Sequence, residues 1–172
     1  MVVLENEELK IVINSKGAEL CSLLDKNDQT EYIWQADPAV WAYHAPNLFP
    51  IVGGLINNTL QVDGREYPLN RHGFARTSTF RIIHSAPNQA IFELRYNEDT
   101  LKAYPYQFEF QIIYELIGRQ LSICYKVINL DHQGIYFSLG AHPAFNVPIN
   151  NLGDLNDYYL EFECEEELYS HQ

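Results

Sequence analysis

The sequence predicts an all-β protein built as an antiparallel β-sandwich, and three observations support this. Apolar and polar residues alternate along several segments, which places the apolar side chains on one face of a strand. Turn-forming residues separate these segments at short intervals, as in sandwiches and barrels. Aromatic residues make up 13% of the chain, with 12 Tyr and 9 Phe, and large flat side chains pack well on a pleated sheet. No segment has a helical pattern longer than about two turns.

The clearest alternation runs through residues 107–116, where every second residue is apolar and most residues between are polar. Segments 92–96, 121–127 and 160–164 repeat the pattern. Each segment is expected to form a half-buried strand, since successive side chains of a strand point to opposite faces.

Four turn signals separate the expected strands. Asp63-Gly64 and Ile117-Gly118-Arg119 each lie between two short alternating runs and predict β-hairpins. Residues 25–28 and 131–134 are polar and end two further strands. Neither a linker nor an internal repeat interrupts the series, so we expect a single domain over residues 1–172.

The composition indicates the cellular setting of the protein and argues against some classes of partner. The net charge of −12 would repel nucleic acid. The chain shows no signal peptide and no stretch of about 20 apolar residues, so membrane insertion is not expected. Cys21, Cys124 and Cys164 are far apart and form no CxxC pair, which favours a reduced, cytoplasmic setting. The acidic run at residues 161–167 is interpreted as a solvated strand edge or loop, with a metal site as the alternative.

A first candidate site is the segment of residues 69–76. Arg71, His72 and Arg76 lie close to Gly73, which allows a sharp turn or a close backbone approach. Two guanidinium groups beside an imidazole could bind a polyhydroxylated or anionic ligand through forked hydrogen bonds. The alternative is an exposed basic loop with a structural histidine.

A second candidate is the segment of residues 135–146, in which residues 135–142 are expected to form one strand. Its alternation predicts a core face and an opposite, ligand-binding face that ends in His142, with Gly140 leaving room for a substrate. A satisfied structural histidine is the alternative. The expected core face consists of Ile135, Phe137, Leu139 and Ala141, and the opposite face of Tyr136, Ser138, Gly140 and His142.

A third candidate is the aromatic, turn-rich segment of residues 41–54. Trp41 or Tyr43 could stack on the apolar face of a sugar ring, or could cap the end of the sandwich. His44 is expected to be structural or exposed. The chain has no His-x-His pair, no HExxH, no GxSxG elbow and no P-loop. A metal site from His72, His142 and a carboxylate stays open, although the spacing does not require one.

Three segments together resemble the LacX-type branch of the aldose 1-epimerase (galactose mutarotase) family. They are residues 47–53 (NLFPIVG), 71–76 (RHGFAR) and 140–145 (GAHPAF), and their order and spacing are similar to those of the family. The resemblance extends from Leu4 to about Phe162.

The resemblance implies a galactose-mutarotase-like β-sandwich (supersandwich) with a sugar cleft on one sheet face. It implies that His142 protonates the ring oxygen of a hexose, that His72 binds and polarises the same region, and that a glutamate acts as the base. Arg71, Arg76, Trp41 and Ser138 are expected to bind the substrate. No cofactor is expected, since protons are moved and electrons are not.

Two departures from the family pattern affect these expectations. Gly54 stands where the family commonly has an arginine, so a sugar or phosphate contact is either missing or supplied by Arg71 or Arg76. The base glutamate of the family lies in the C-terminal part of a longer chain and has no match here, so we expect a β-sandwich that is incomplete at its C-terminus. Three hypotheses therefore stay open: a mutarotase, a non-catalytic carbohydrate-binding module, and a hexose-6-phosphate 1-epimerase. The sugar and the oligomeric state are not predicted.

Overall fold

The computed structural model describes residues 1–161 and 163, and its regular structure is mostly antiparallel β-sheet. Within these residues the only α-helix is short, and 3₁₀ turns occur at four places: Ile56–Asn58, Ala75–Thr77, Ile149–Asn151 and Leu155–Asp157. The strands and the helix are β1 (Val2–Glu5), β2 (Leu9–Asn14), β3 (Glu19–Asp25), β4 (Asn47–Leu48), β5 (Thr59–Val62), β6 (Arg65–Pro68), β7 (Arg81–Ala86), β8 (Gln89–Arg95), α1 (Glu98–Ala103), β9 (Phe108–Ile117), β10 (Gln120–Asn129) and β11 (Gly140–Ala141).

Two antiparallel sheets form the body of the molecule. One has the order β1-β2-β3 and the other the order β10-β9-β8-β7. Buried side chains from both sheets belong to one hydrophobic core. The pairs β5-β6 and β11-β4 are separate two-stranded units. The second pair brings residues 140–141 beside residues 47–48, which are far away in sequence.

The alternation predicted for residues 107–116 is confirmed in β9. Phe108, Phe110, Ile112 and Tyr114 are buried, and the residues between them are half-buried. The alternating segments 92–96 and 121–127 were expected to form strands, and they lie largely in β8 and β10. These two strands flank β9 in the sheet. The strand expected at residues 160–164 lies largely outside the described residues, as does most of the acidic run.

Both predicted hairpins are confirmed. β5 and β6 are joined by Asp63 and Gly64, with φ of +49° and +74°. Two successive residues with positive φ match the right-handed twist of the flanking strands, which is why Asp-Gly is favoured there. β9 and β10 pair over their whole length and are joined by Gly118 and Arg119.

The prediction of one continuous strand over residues 135–142 is wrong. Only Gly140–Ala141 form strand structure, and Phe137, expected in the core, is 44% exposed. Ile135 and Leu139 do pack against the core. The segment passes along other loops instead of pairing regularly: the Ser138 N–H donates to the Pro50 carbonyl at 2.9 Å.

No helix in the described part of the chain is long and apolar enough to span a membrane.

Candidate functional site

One cleft collects five of the six residues predicted to form the site. It has a volume of about 310 Å³ and draws its walls from three segments that are distant in sequence. Its lining residues are Trp41, Pro46, Leu48, Arg71, His72, Arg76 and His142. Among the predicted residues only Ser138 lies elsewhere.

The segment of residues 71–76 is fastened to the core through Phe49. The Phe49 carbonyl accepts the N–H groups of Phe74 and Ala75, both at 3.1 Å. Gly73 has a φ of +67°, and a Cβ there would overlap the Phe49 carbonyl. The glycine therefore serves a close backbone approach, which brings the flanking basic side chains to the cleft.

His72 is held by two hydrogen bonds to Gly53. The His72 N–H donates to the Gly53 carbonyl at 2.8 Å, and the Gly53 N–H donates to His72 Nδ1 at 3.0 Å. The backbone of His72 is left-handed, with a φ of +68°. Partial burial lowers the pKa of the imidazole, and the charges of Arg71, Arg76 and His142 lower it further. The surroundings of the ring thus favour its neutral form.

Arg76 is oriented by its neighbours but keeps donor capacity. Its Nη2 donates to the Arg71 carbonyl at 3.2 Å, and its guanidinium carbon lies 5.5 Å from the centre of the Tyr43 ring. Arg76 Nε is buried and has no hydrogen-bond partner among the described residues. Within the described residues no carboxylate lines the cleft. A cleft lined by two guanidinium groups and no described carboxylate is suited to an oxygen-rich or anionic ligand.

His142 enters the cleft directly after β11. Its N–H donates to the Pro46 carbonyl at 3.1 Å, which continues the contact between the β11 and β4 segments. Its ring centre lies 5.0 Å from that of Trp41, with an angle of 45° between the rings. The side chain is exposed, so the imidazole is oriented by the indole and stays open to solvent and ligand.

Ser138 and Gly140 both lie against Val52. The Ser138 hydroxyl accepts the Val52 N–H at 2.9 Å and so supports the loop that carries Gly53. A Cβ on Gly140 would lie 2.9 Å from Val52 Cγ2. The glycine therefore makes room for a valine of this loop and not for a substrate.

Sequence reasoning missed Gly53 and Tyr43 as the neighbours that hold His72 and Arg76. Gly53 lies in the candidate segment of residues 41–54. Its contact with His72 joins two loops, so the sequence around either residue gives no sign of the contact. His44, in contrast, is structural as expected, with Nδ1 lying 2.7 Å from the Trp34 carbonyl oxygen. In the part of the chain that the structure describes, no three His, Cys, Asp or Glu side chains are grouped as metal ligands.

The amino-acid sequence shows which protein family the chain belongs to. The sequence model of the family described as Aldose 1-epimerase matches residues 1–172. The chain belongs to the aldose 1-epimerase family. It is 38% identical over 167 residues to the plasmid form of Protein LacX from Lactococcus lactis subsp. lactis. That alignment covers 94% of this chain and 56% of LacX.

Solved structures confirm the galactose-mutarotase-like β-sandwich. A galactose mutarotase related enzyme from Lactobacillus acidophilus matches with a TM-score of 0.87 at 38% identity, over 90% of this chain and 52% of that chain. A galactose mutarotase-like protein from Lactobacillus casei matches with a TM-score of 0.83 at 38% identity, over 86% and 50%. This member of the aldose 1-epimerase family thus spans about half the length of these relatives. That residues 1–172 form one domain stays a prediction.

Proposed function

We propose that this chain supplies the sugar cleft and the acid histidine of an aldose 1-epimerase that interconverts the α and β anomers of a hexose. The observation that carries the proposal is the convergence of His72, His142 and Trp41 on one cleft, in a chain of the aldose 1-epimerase family. Aromatic rings bind the apolar face of a sugar, and imidazoles act on its oxygens.

The proposed reaction moves two protons and no electrons. His142, as the imidazolium, gives a proton to the ring oxygen while the bond between that oxygen and C1 breaks. A base removes the proton of the anomeric hydroxyl, and the sugar opens to the aldehyde. After rotation about the C1–C2 bond the steps reverse, and the hydroxyl forms on the other face. An imidazole titrates near neutrality, so it can give and retake a proton in each turnover.

The remaining cleft residues fit supporting roles in this reaction. His72 would donate a hydrogen bond to the oxygen that accepts the proton. Arg71 and Arg76 would bind hydroxyl or anionic groups of the sugar, because a guanidinium offers several donors in a fixed geometry. The base is expected to be a glutamate, and none of the described lining residues is a carboxylate. Ser138 stays a predicted substrate-binding residue, although its hydroxyl accepts a loop N–H.

The test is anomer exchange measured by NMR with glucose, galactose and glucose 6-phosphate. Acceleration by the chain that is lost in His142→Asn, and kept in His84→Asn, would support the mutarotase. His84 is an exposed histidine on β7 that does not line the cleft. A folded sample that binds sugar without accelerating exchange would favour the carbohydrate-binding module or a cleft that lacks its base.

A hexose-6-phosphate 1-epimerase is the second candidate, and the two arginines favour it. Arg71 and Arg76 both line the cleft, and a phosphate group could accept hydrogen bonds from both guanidinium groups. Arg76→Gln should then weaken the binding of glucose 6-phosphate more than that of glucose. Arg65→Gln is the matched control, since Arg65 is exposed on β6 and lies outside the cleft. Equal losses for both sugars would contradict this candidate. The cytoplasmic location stays a prediction from the sequence.

A further inference from the structure

We propose that Gly53 is a positioning residue of the cleft: its backbone N–H fixes the tautomer of His72, so that the imidazole presents Nε2–H to the ligand. The role of this donor toward a sugar rests on the proposed function. The assignment of the tautomer rests on hydrogen-bond geometry alone.

Gly53 and His72 are joined by two reciprocal hydrogen bonds. The Gly53 N–H points at His72 Nδ1 at 3.0 Å, and the His72 N–H reaches the Gly53 carbonyl at 2.8 Å. A backbone N–H can only donate, so Nδ1 must offer its lone pair. A neutral imidazole has one protonated nitrogen, and the proton must then be on Nε2.

Arg71 makes a second contact with the same ring, and this contact competes with the Gly53 bond. Arg71 Nε lies 3.2 Å from His72 Nε2 in a donor arrangement. The two contacts cannot both be hydrogen bonds, because a neutral imidazole has only one acceptor nitrogen. The bond from Gly53 is shorter, partly buried and made by backbone, whereas the contact of Arg71 is exposed and made by a side chain that can turn away. The Gly53 bond therefore prevails, and the Arg71 guanidinium is free for a ligand.

The loop that carries the Gly53 N–H is itself fixed. The Val52 N–H donates to the Ser138 hydroxyl at 2.9 Å, and the Ser138 N–H donates to the Pro50 carbonyl at 2.9 Å. Gly53 has a φ of +82°, with open space where a Cβ would be. Only a residue that tolerates a left-handed backbone can direct its N–H at Nδ1 from this position.

The charges that face the ring also favour the neutral imidazole. Arg71, Arg76 and His142 are the charged or titratable groups of the cleft, and all three disfavour a positive charge on His72. Protonation of His72 would also direct an Nδ1–H at the Gly53 N–H, and two donors cannot form a hydrogen bond with each other. His72 is thus a constant donor, which leaves His142 as the histidine that gives and retakes the proton.

The hydrogen bond can be observed without any sugar. With uniform ¹⁵N labelling, a through-bond ¹⁵N–¹⁵N coupling between the Gly53 amide and His72 Nδ1 should give a cross-peak at neutral pH. The long-range ¹H–¹⁵N pattern of His72 should show an unprotonated Nδ1 and a protonated Nε2. A missing cross-peak, or a protonated Nδ1, would overturn the proposal.

A matched pair of glycine variants tests the positioning role. Gly53→Ala should remove the cross-peak and move His72 toward the mixture of tautomers of a free imidazole. Gly64→Ala carries the same kind of strain, with a φ of +74° and open space at Cβ, and should keep the cross-peak. An unchanged His72 pattern in a folded Gly53→Ala sample would refute the role of Gly53.

Anomer exchange separates this proposal from the proposed function. A fixed tautomer without accelerated exchange would retain the positioning role and count against catalysis by this chain alone. Accelerated exchange with a protonated Nδ1 would do the reverse. If both hold, Gly53→Ala should reduce kcat for exchange by about tenfold, the size of one lost cleft hydrogen bond, and Gly64→Ala should leave it unchanged.

Discussion

Asn47 joins three parts of the structure, and its replacement by alanine tests how the fold is held behind the cleft. The side chain is 1% exposed. Its Nδ2 donates to the carbonyls of Gly17 and Ala18 at 2.9 and 3.0 Å. Its Oδ1 accepts the Tyr125 hydroxyl at 2.7 Å. One amide thus connects the turn before β3 with β10, at the residue where β4 begins.

The expected loss of stability follows from the groups left without a partner. In Asn47→Ala the Gly17 carbonyl and the Tyr125 hydroxyl lose their hydrogen bonds. The Ala18 carbonyl keeps one, from the Tyr114 hydroxyl at 2.7 Å. A buried polar group without a partner costs about 1–3 kcal/mol. Since Tyr125 is only half-buried, we expect the free energy of unfolding to fall by about 2–4 kcal/mol for the two groups together.

Urea denaturation measures this loss, and a double-mutant cycle assigns it. Tyr125→Phe removes the bond to Oδ1, leaves that buried oxygen without its donor, and should cost about 1–3 kcal/mol. The double variant should lose less than the sum of the single losses, because both single variants remove the same bond. A loss below about 0.5 kcal/mol for Asn47→Ala, within the range of surface substitutions, would refute the reasoning. So would additive losses.

Three further predictions concern other positions. Gly73→Ala should unfold at a lower urea concentration than the parent chain, because a methyl group there would overlap a backbone carbonyl in addition to the strain of a φ of +67°. Burial raises the pKa of the Cys21 thiol to about 11, so iodoacetamide should label Cys21 more slowly than the exposed Cys124, as followed by mass spectrometry. Because the folded pKa of His72 lies below about 6.5, the folded state binds fewer protons than the unfolded state between the two values. The free energy of unfolding should therefore fall as the pH falls through this window. In Arg71→Gln the pKa of His72, measured by NMR, should rise. The free energy of unfolding should then fall less over this pH window.

The fold was predictable wherever one face of a strand meets the core and the other meets a polar environment. β9 has that arrangement along most of its length, and its alternation predicted its bounds to within one residue and its buried side chains. The Asp63-Gly64 hairpin was predictable because its positive φ values are favoured by those two residue types. Both signals are local, because each depends on residues that are close together in the sequence.

The segment of residues 135–142 shows where such reasoning fails. Its residues alternate as in a strand, but alternation does not show whether a partner strand is present along the whole segment. Here β4 offers only a two-residue pair, and beyond it the chain bonds to the loop at Pro50 and Val52. The Gly53–His72 contact was not predictable for the same reason, because it joins two loops and depends on their tertiary placement.

The cleft depends on the core through Phe49. Its ring stacks on Phe110 at 4.6 Å and contacts Phe108 at 5.1 Å, both on the buried face of β9. Its carbonyl holds the segment that carries His72, Arg71 and Arg76. The central sheet therefore fixes the Phe49 ring, and the Phe49 backbone fixes the basic wall of the cleft. Any change that shifts this ring would move the cleft as well, so Phe49→Leu should lower the affinity for a ligand together with stability, although residue 49 does not line the cleft.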